Sequence, residues 1–158
     1  MIVSLTGHRC IGSYTIPNPT YTHVYSELTK LLNELKPVKL LSGMALGFDT
    51  LGIKVAIELG IPFDAVVPFQ GQEKRWYPKD QELYHQLLKQ ASNVVVVSEG
   101  GYDYYKLHLR NQYLVEHCDK LISCWDGRKE GGTFHCLKYA KKVKREVINI
   151  SPNLKVPS

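Results

Sequence analysis

Apolar positions along the chain change their period repeatedly. Ile2-Val3-Ser4-Leu5 is a short run of strand type. After the Pro17-Asn18-Pro19 breaker, Val24, Leu28, Leu31, Leu32 and Leu35 return every three or four residues, the period of one helical face. Residues 38–41 are strand-like again. Beyond a glycine-bearing turn, Phe48, Leu51, Val55 and Leu59 share a helical face that Gly60 and Pro62 close. Residues 63–67, 94–97, 121–125 and 147–150 are the remaining strand candidates, and residues 78–90, 106–118 and 132–144 are the helical candidates between them. The unbroken run Val94-Val95-Val96-Val97 suits a strand buried on both faces, and the alternation of strand and helix implies parallel pairing through right-handed crossovers. The expected fold is therefore α/β, Rossmann-like and doubly wound, a mainly parallel sheet with helices on both faces. Residues 2–150 are expected to form it as a single domain. Residues 151–158, with two prolines and no periodicity, are expected to be a surface tail.

Composition narrows the class without naming it. With 158 residues, 44% of them hydrophobic, the chain can bury a sizeable core, which excludes disordered and collagen-like classes. No apolar run approaches the roughly 18 residues of a membrane span, and the start Met1-Ile2-Val3-Ser4-Leu5 lacks the features of a secretory signal. A cytoplasmic location without membrane contact is expected. A formal net charge of +5 mildly favours phosphate-bearing partners. Cys10, Cys118, Cys124 and Cys136 show no C-x-x-C spacing and sit in or beside apolar segments, so they are expected to be buried free thiols. The histidines form no H-x-x-x-H or H-E-x-x-H pattern. No metal site and no required cofactor are expected.

The connections differ by direction. Those from helix back to strand are short and plain, whereas those from strand to helix are long and rich in Gly, Arg, Trp, Asn and His. In an open parallel sheet, ligands bind beyond the carboxyl ends of the strands, which is where these longer loops converge. The first loop, Thr6-Gly7-His8-Arg9-Cys10-Ile11-Gly12-Ser13, nearly matches G-x-x-x-x-G-K-[ST] but has no Lys before Ser13, so it is not a Walker phosphate loop. Gly7 could admit a ligand to backbone amides, with His8 and Arg9 as donors to phosphate or ribose oxygens. An ordinary tight turn and a structural ion pair are the competing reading.

The second loop, Ser42-Gly43-Met44-Ala45-Leu46-Gly47-Phe48-Asp49, brings small residues to a helix start, where unpaired amides suit an anion. It is not the G-x-G-x-x-G dinucleotide fingerprint. The last loop, Asp126-Gly127-Arg128-Lys129-Glu130-Gly131-Gly132-Thr133, offers a second amide-rich helix start and a hydroxyl. Two such termini with Arg9 and Arg110 nearby would make a phosphate cradle. Phe69, Trp76, Tyr105 and Trp125 could stack on a base or equally lid the core. In the loop after the third strand, Gln72 and Glu73 could hydrogen-bond a ribose or base, with Trp76 as a wall.

Thr6-Gly7-His8-Arg9, Ser42 through Asp49, Pro68-Phe69-Gln70-Gly71-Gln72-Glu73 with Trp76, Arg110-Asn111, and Gly131-Gly132-Thr133 followed by Tyr139-Ala140 together resemble the YpsA-like branch of the SLOG superfamily, from residue 2 to about 150. The resemblance implies a Rossmann-like domain that binds a nucleotide or a nucleotide-derived ligand, related to cytokinin-activating phosphoribohydrolases and to the DNA-processing protein DprA. It implies ligand contacts at Gly7, His8, Arg9, Ser42, Gly43, Met44, Gly47, Asp49, Phe69, Gln72, Trp76, Arg110, Asn111, Gly131, Gly132 and Thr133. The phosphoribohydrolases carry P-G-G-x-G-T-x-x-E, whereas here Thr133 is followed by Phe134-His135-Cys136, with Cys136 where their Glu stands.

The leading expectation is a protein that senses or sequesters an ADP-ribose-like or NAD-like nucleotide, and a homo-oligomer. One alternative is an enzyme that hydrolyses the N-glycosidic bond of a nucleoside phosphate, with Glu73, Asp49, His8 or His135 as candidate acid/base groups. A second alternative is DprA-like nucleic-acid binding.

Overall fold

The computed structural model describes residues 1–11 and 18–153. The Gly12-Ser13 end of the first loop and residues 154–158 of the expected tail lie outside the described residues. In chain order the elements are β1 (Ile2–Gly7), α1 (Pro19–Leu35), β2 (Lys39–Ser42), α2 (Phe48–Leu59), β3 (Phe63–Val67), α3 (Pro78–Leu88), β4 (Asn93–Val96), α4 (Tyr104–Glu116), β5 (Lys120–Cys124), α5 (Gly131–Lys142) and β6 (Glu146–Asn149). The strands form one six-stranded sheet in the order β4-β3-β2-β1-β5-β6, and every pairing is parallel.

Both faces are covered. Val24, Leu28 and Leu32 of α1, Phe48, Leu51 and Val55 of α2, and Tyr84 and Leu87 of α3 pack with Val3, Leu5, Leu40, Ala65 and Val67 of the sheet. On the opposite face, Val115 of α4 meets Leu121, Cys136 and Ala140, while Leu114 meets Leu41 and Val66. This is the doubly wound arrangement that the alternation predicts: right-handed crossovers put helices on one face while the chain moves outward from β1, and on the other once it returns past β1 to β5.

Local chemistry sets the element ends. Asn18 caps α1 through its side chain, which accepts the Tyr21 N–H at 3.1 Å, and Pro19 begins the helix. Helix α4 starts two residues before the expected 106 because the Asp103 carboxylate caps it, accepting the Tyr105 N–H at 2.9 Å.

Two expectations need correction. The valine run 94–97 is not buried on both faces: β4 is an edge strand, with Val94 and Val96 each 49% exposed. An apolar run marks a strand, but strand order decides which strand lies at the rim. Cys118, Cys124 and Cys136 are buried free thiols, but Cys10 is exposed, because the chain has left the sheet at Gly7 and Cys10 lies on the loop beyond it.

Candidate functional site

The chain proceeds from β1 to β4 on one side of the sheet and places β5 and β6 on the other, so the topological switch point lies between β1 and β5. His8, the first residue beyond β1, spans it. Its N–H donates to Cys124 O at 3.2 Å, and its carbonyl accepts the Phe48 N–H at 3.0 Å. Its Nε2 faces the Asp126 N–H at 3.0 Å and Asp126 Oδ1 at 3.1 Å. Those contacts make opposite demands, a lone pair for the amide and a proton for the carboxylate. Burial pushes the imidazole below its ordinary value, so at neutral pH the ring is uncharged and Nε2 accepts the amide. The Asp126 carboxylate is held far below the usual range by hydrogen bonds from Arg128, whose Nη2 donates to Oδ2 at 2.6 Å. Asn149 at the end of β6 fixes the residue before Asp126: its Oδ1 accepts the Trp125 N–H and its Nδ2 donates to Trp125 O.

A second centre lies at the end of β2, where groups from both faces of the sheet meet. Arg110 on α4 is buried and its Nη1 donates to Gly43 O at 2.7 Å. Gln72 Nε2 donates to the same carbonyl at 3.1 Å. Asp49, in the first turn of α2, is buried on the other side, and its Oδ2 accepts the Ala45 N–H at 3.2 Å. A Cβ on Gly43 would stand 2.6 Å from Arg110 Nη1 and 3.0 Å from Asp49 Oδ2. The missing side chain at Gly43 is thus what lets an arginine from one helical layer approach a carboxylate from the other. Met44, which follows, is buried with φ 60, a conformation that costs a non-glycine residue on the order of 1–3 kcal/mol. Its N–H donates to Ser42 Oγ at 3.2 Å, which helps hold the turn.

Desolvation raises the Asp49 carboxyl to about 6, with Arg110, the Ala45 amide and Arg9 opposing that rise. The sign follows by linkage. In the folded protein Asp49 keeps its proton to about pH 6, whereas the unfolded chain loses it near 3.8. Stability is therefore greatest below the lower value and declines as pH rises through about 6. A decline on the order of 1–3 kcal/mol is expected over this window. Denaturant unfolding at several pH values should show it in the wild type and lose most of it in Asp49→Asn.

The two helix N-termini that face this edge are not equivalent. Asp49 supplies the negative charge at the start of α2 from within the chain. Helix α5 has no acidic residue in its first turn and no side-chain cap from Glu130, and nothing lies within 4 Å of where a Cβ on Gly131 or Gly132 would stand. Neither helix has a side-chain cap, but the start of α2 already carries the Asp49 carboxylate and gives its Phe48 N–H to His8 O, whereas the start of α5 has no such internal charge.

Beside it, a pocket of about 40 Å³ opens between α4 and α5, lined by His108, Asn111, Gln112, His135, Cys136 and Tyr139. A chain of rings runs past it to the switch point: Tyr104 to His108 at 4.9 Å, His108 to His135 at 5.6 Å, Phe134 to His135 at 5.6 Å, and Trp125 stacked on Phe134 at 6.3 Å. Lys138 Nζ lies 5.7 Å from the Phe134 ring centre. Cys136 itself is buried, and burial pushes its thiol up to about 11. A thiol so reluctant to ionise is a poor general acid at neutral pH.

Of the residues singled out in the sequence, Gly7, His8, Gly43, Gly47, Asp49, Gln72 and Arg110 come together through the contacts above or through near backbone approach. Arg9 is exposed and close enough to influence Asp49. Asn111 accepts Arg110 Nε through Oδ1 at 2.9 Å, joining the hub to the α4/α5 pocket. Thr133 is buried. Phe69 is buried and edge-on to Tyr102, and Trp76 is half-buried and edge-on to Tyr84. Glu73 is buried with Oε1 3.7 Å from His85 Nε2, while its Oε2 has no hydrogen-bond partner. His135 is exposed at the pocket rim. Sequence reasoning did not single out Asp126 or Tyr84. Asp126 had a usable signal, as the first residue past a strand on the loop-rich edge. Tyr84 had none, since it occupies an ordinary core position on α3.

Among the described residues no helix is long and apolar enough to cross a membrane, and no group of three or more His, Cys, Asp or Glu could hold a metal ion. The profile of the YspA SLOG family matches residues 6–151. A UPF0398 protein of Halalkalibacterium halodurans is 27% identical over 157 residues, covering 92% of this chain and 82% of that protein. Among solved structures, DNA processing protein A (DprA) of Streptococcus pneumoniae is similar with a TM-score of 0.68 and 22% identity, over 93% of this chain. This chain spans 49% of that DprA chain. The molybdenum cofactor binding protein of Rippkaea orientalis is similar with a TM-score of 0.60 and 18% identity, over 95% of this chain and 76% of that one.

Proposed function

The chain belongs to the YspA SLOG family, and from that premise we propose that it binds a nucleotide or nucleotide derivative of the ADP-ribose or NAD type, and senses or sequesters it without chemical change. The observation that carries this reading is the start of α5, without a side-chain cap and open over Gly131 and Gly132, beside a switch point whose other helix start already carries the Asp49 carboxylate. A phosphate group would accept the first α5 amides, and the helix dipole would favour its charge. Arg9 is the exposed cation on the neighbouring loop. Trp125 and Phe134, stacked and half-buried, offer a platform for the base, and Asn111 and Gln112 offer amides for its edge.

Binding without turnover follows from the acid that is missing. With Cys136 high in pKa, His8 neutral and engaged, and Asp49 enclosed with Arg110, none of these groups is poised to protonate a departing base. General acid–base assistance is worth about 10²–10⁴ in rate, so its absence is conspicuous. The test is incubation of stoichiometric protein with AMP, ADP-ribose and NAD over hours, followed by separation from free solute and chromatography. Intact nucleotide recovered with the protein is the expected outcome. Free base formed over many turnovers would replace this reading with N-glycoside hydrolysis, with Glu73 or His135 as the group to test first.

The ring chain from Tyr104 to Trp125 with Lys138 favours a second reading, single-stranded nucleic-acid binding through stacking and charge. That mode would weaken steeply with added salt, and an unchanged oligonucleotide mobility at low salt would rule it out.

A further inference from the structure

The two rims of the sheet are finished differently. At β6, Glu146 is ion-paired to Lys120 at 3.0 Å and Asn149 is engaged with Ser123 and Trp125, so charged and polar side chains guard that edge. At β4 the run Asn93-Val94-Val95-Val96-Val97-Ser98 has neither charge nor proline, the devices that natural edge strands use to avoid pairing.

The hydrogen-bonding groups of β4 can be assigned to sides. Val97 N–H donates to Val67 O at 3.0 Å, and Val67 is registered with Val96. Successive residues of a parallel strand direct their N–H and C=O groups alternately to the two sides. Val95 and Val97 therefore face β3, and the N–H and C=O of Val94 and Val96 face outward. The side chains of Val95 and Val97 pack with Leu41, Val66 and Leu114, leaving those of Val94 and Val96 on the opposite face, each 49% exposed.

We propose that β4 pairs antiparallel with β4 of a second copy of this chain, across a two-fold axis at Val95. In that register Val94 lies directly opposite Val96 of the second copy. Every outward N–H and C=O of the two residues then finds its complement, and the exposed valines cover one another. The same register runs the exposed Glu99 end of one strand toward the exposed Lys89 end of the other, so the flanking charges are complementary. A second copy fits this edge because one symmetry operation satisfies the backbone, the apolar face and the charges together.

The test is sedimentation of the full chain over a wide concentration range, with circular dichroism as the control for folding. Wild type is expected to dimerise. Val94→Lys combined with Val96→Lys sets cations opposite cations and is expected to raise the dissociation constant by tenfold or more. Val94→Lys combined with Val96→Glu sets opposite charges face to face in this register and is expected to restore the dimer, now in a salt-sensitive form. Val96→Pro removes an outward N–H that β3 does not use, and should also weaken the dimer while the fold persists. A monomeric wild type, a dimer indifferent to the double-lysine change, or a lysine/glutamate variant no better than the double-lysine one would each overturn the proposal.

Discussion

Arg110→Met is expected to destabilise the protein by about 3–5 kcal/mol at neutral pH, the order of cost when a buried charge is left without its compensating one. The physical reason is the enclosure of Asp49. Its carboxylate lies in the interior with the Arg110 guanidinium as the largest opposing influence on its desolvation. Methionine fills similar volume but supplies neither the charge nor the hydrogen bond to Gly43 O. For a domain of this size the midpoint of thermal unfolding should fall on the order of 10 °C. Adding Asp49→Asn should return a good part of the loss, because the second change removes the charge that the first left unbalanced. A denaturant series on the two single variants and the double variant measures the coupling. If the Arg110→Met loss stays below about 1 kcal/mol, the pair is solvated and the buried hub is not what joins the helical layers.

The same hub explains why Gly43→Val is a poor probe of ligand binding. A side chain at Gly43 would collide with Arg110 and crowd Asp49, so loss of binding there would report the broken hub as much as a blocked ligand.

Periodicity made most of the fold legible. The apolar faces of α1 and α2 are continuous in the sequence, and residues 63–67 coincide with β3 because an apolar run between turn signals leaves little choice. The rim position of β4 was not legible, since Val94 to Val97 has the same local chemistry whether or not another strand lies alongside. The loop-rich edge was visible from composition, and it is where His8, Gly43, Gln72 and Arg110 converge. Their pairings were not visible. His8 meets Asp126 across 118 positions of sequence, and Arg110 meets Gly43 across 67. Such contacts depend on which strands neighbour each other and which helix lies on which face. The sequence also marked the starts of α2 and α5 as two anion-suited helix termini. The burial of Asp49, which accepts the Ala45 N–H just ahead of α2, helps separate them, because whether a first-turn acid is enclosed or solvated is a matter of packing.

Gly132→Val is expected to weaken nucleotide binding by about 100-fold or more, roughly 2.7 kcal/mol, while leaving stability unchanged or slightly raised. No atom lies within 4 Å of where the new Cβ would stand, and the position is not in the left-handed region, unlike Gly131 with φ 88. The branched side chain would therefore occupy only the space through which a phosphate reaches the first α5 amides. Because the fold is not at risk, a loss of affinity would belong to the site.

Calorimetric titration of AMP, ADP-ribose and NAD into the wild type and Gly132→Val, side by side, is the most direct measurement. Saturable binding of at least one nucleotide by the wild type, lost or reduced about 100-fold in Gly132→Val, is the expected result for a phosphate seated on α5. Absence of binding heat and of any thermal stabilisation for all three ligands, or equal affinity in both proteins, would contradict it.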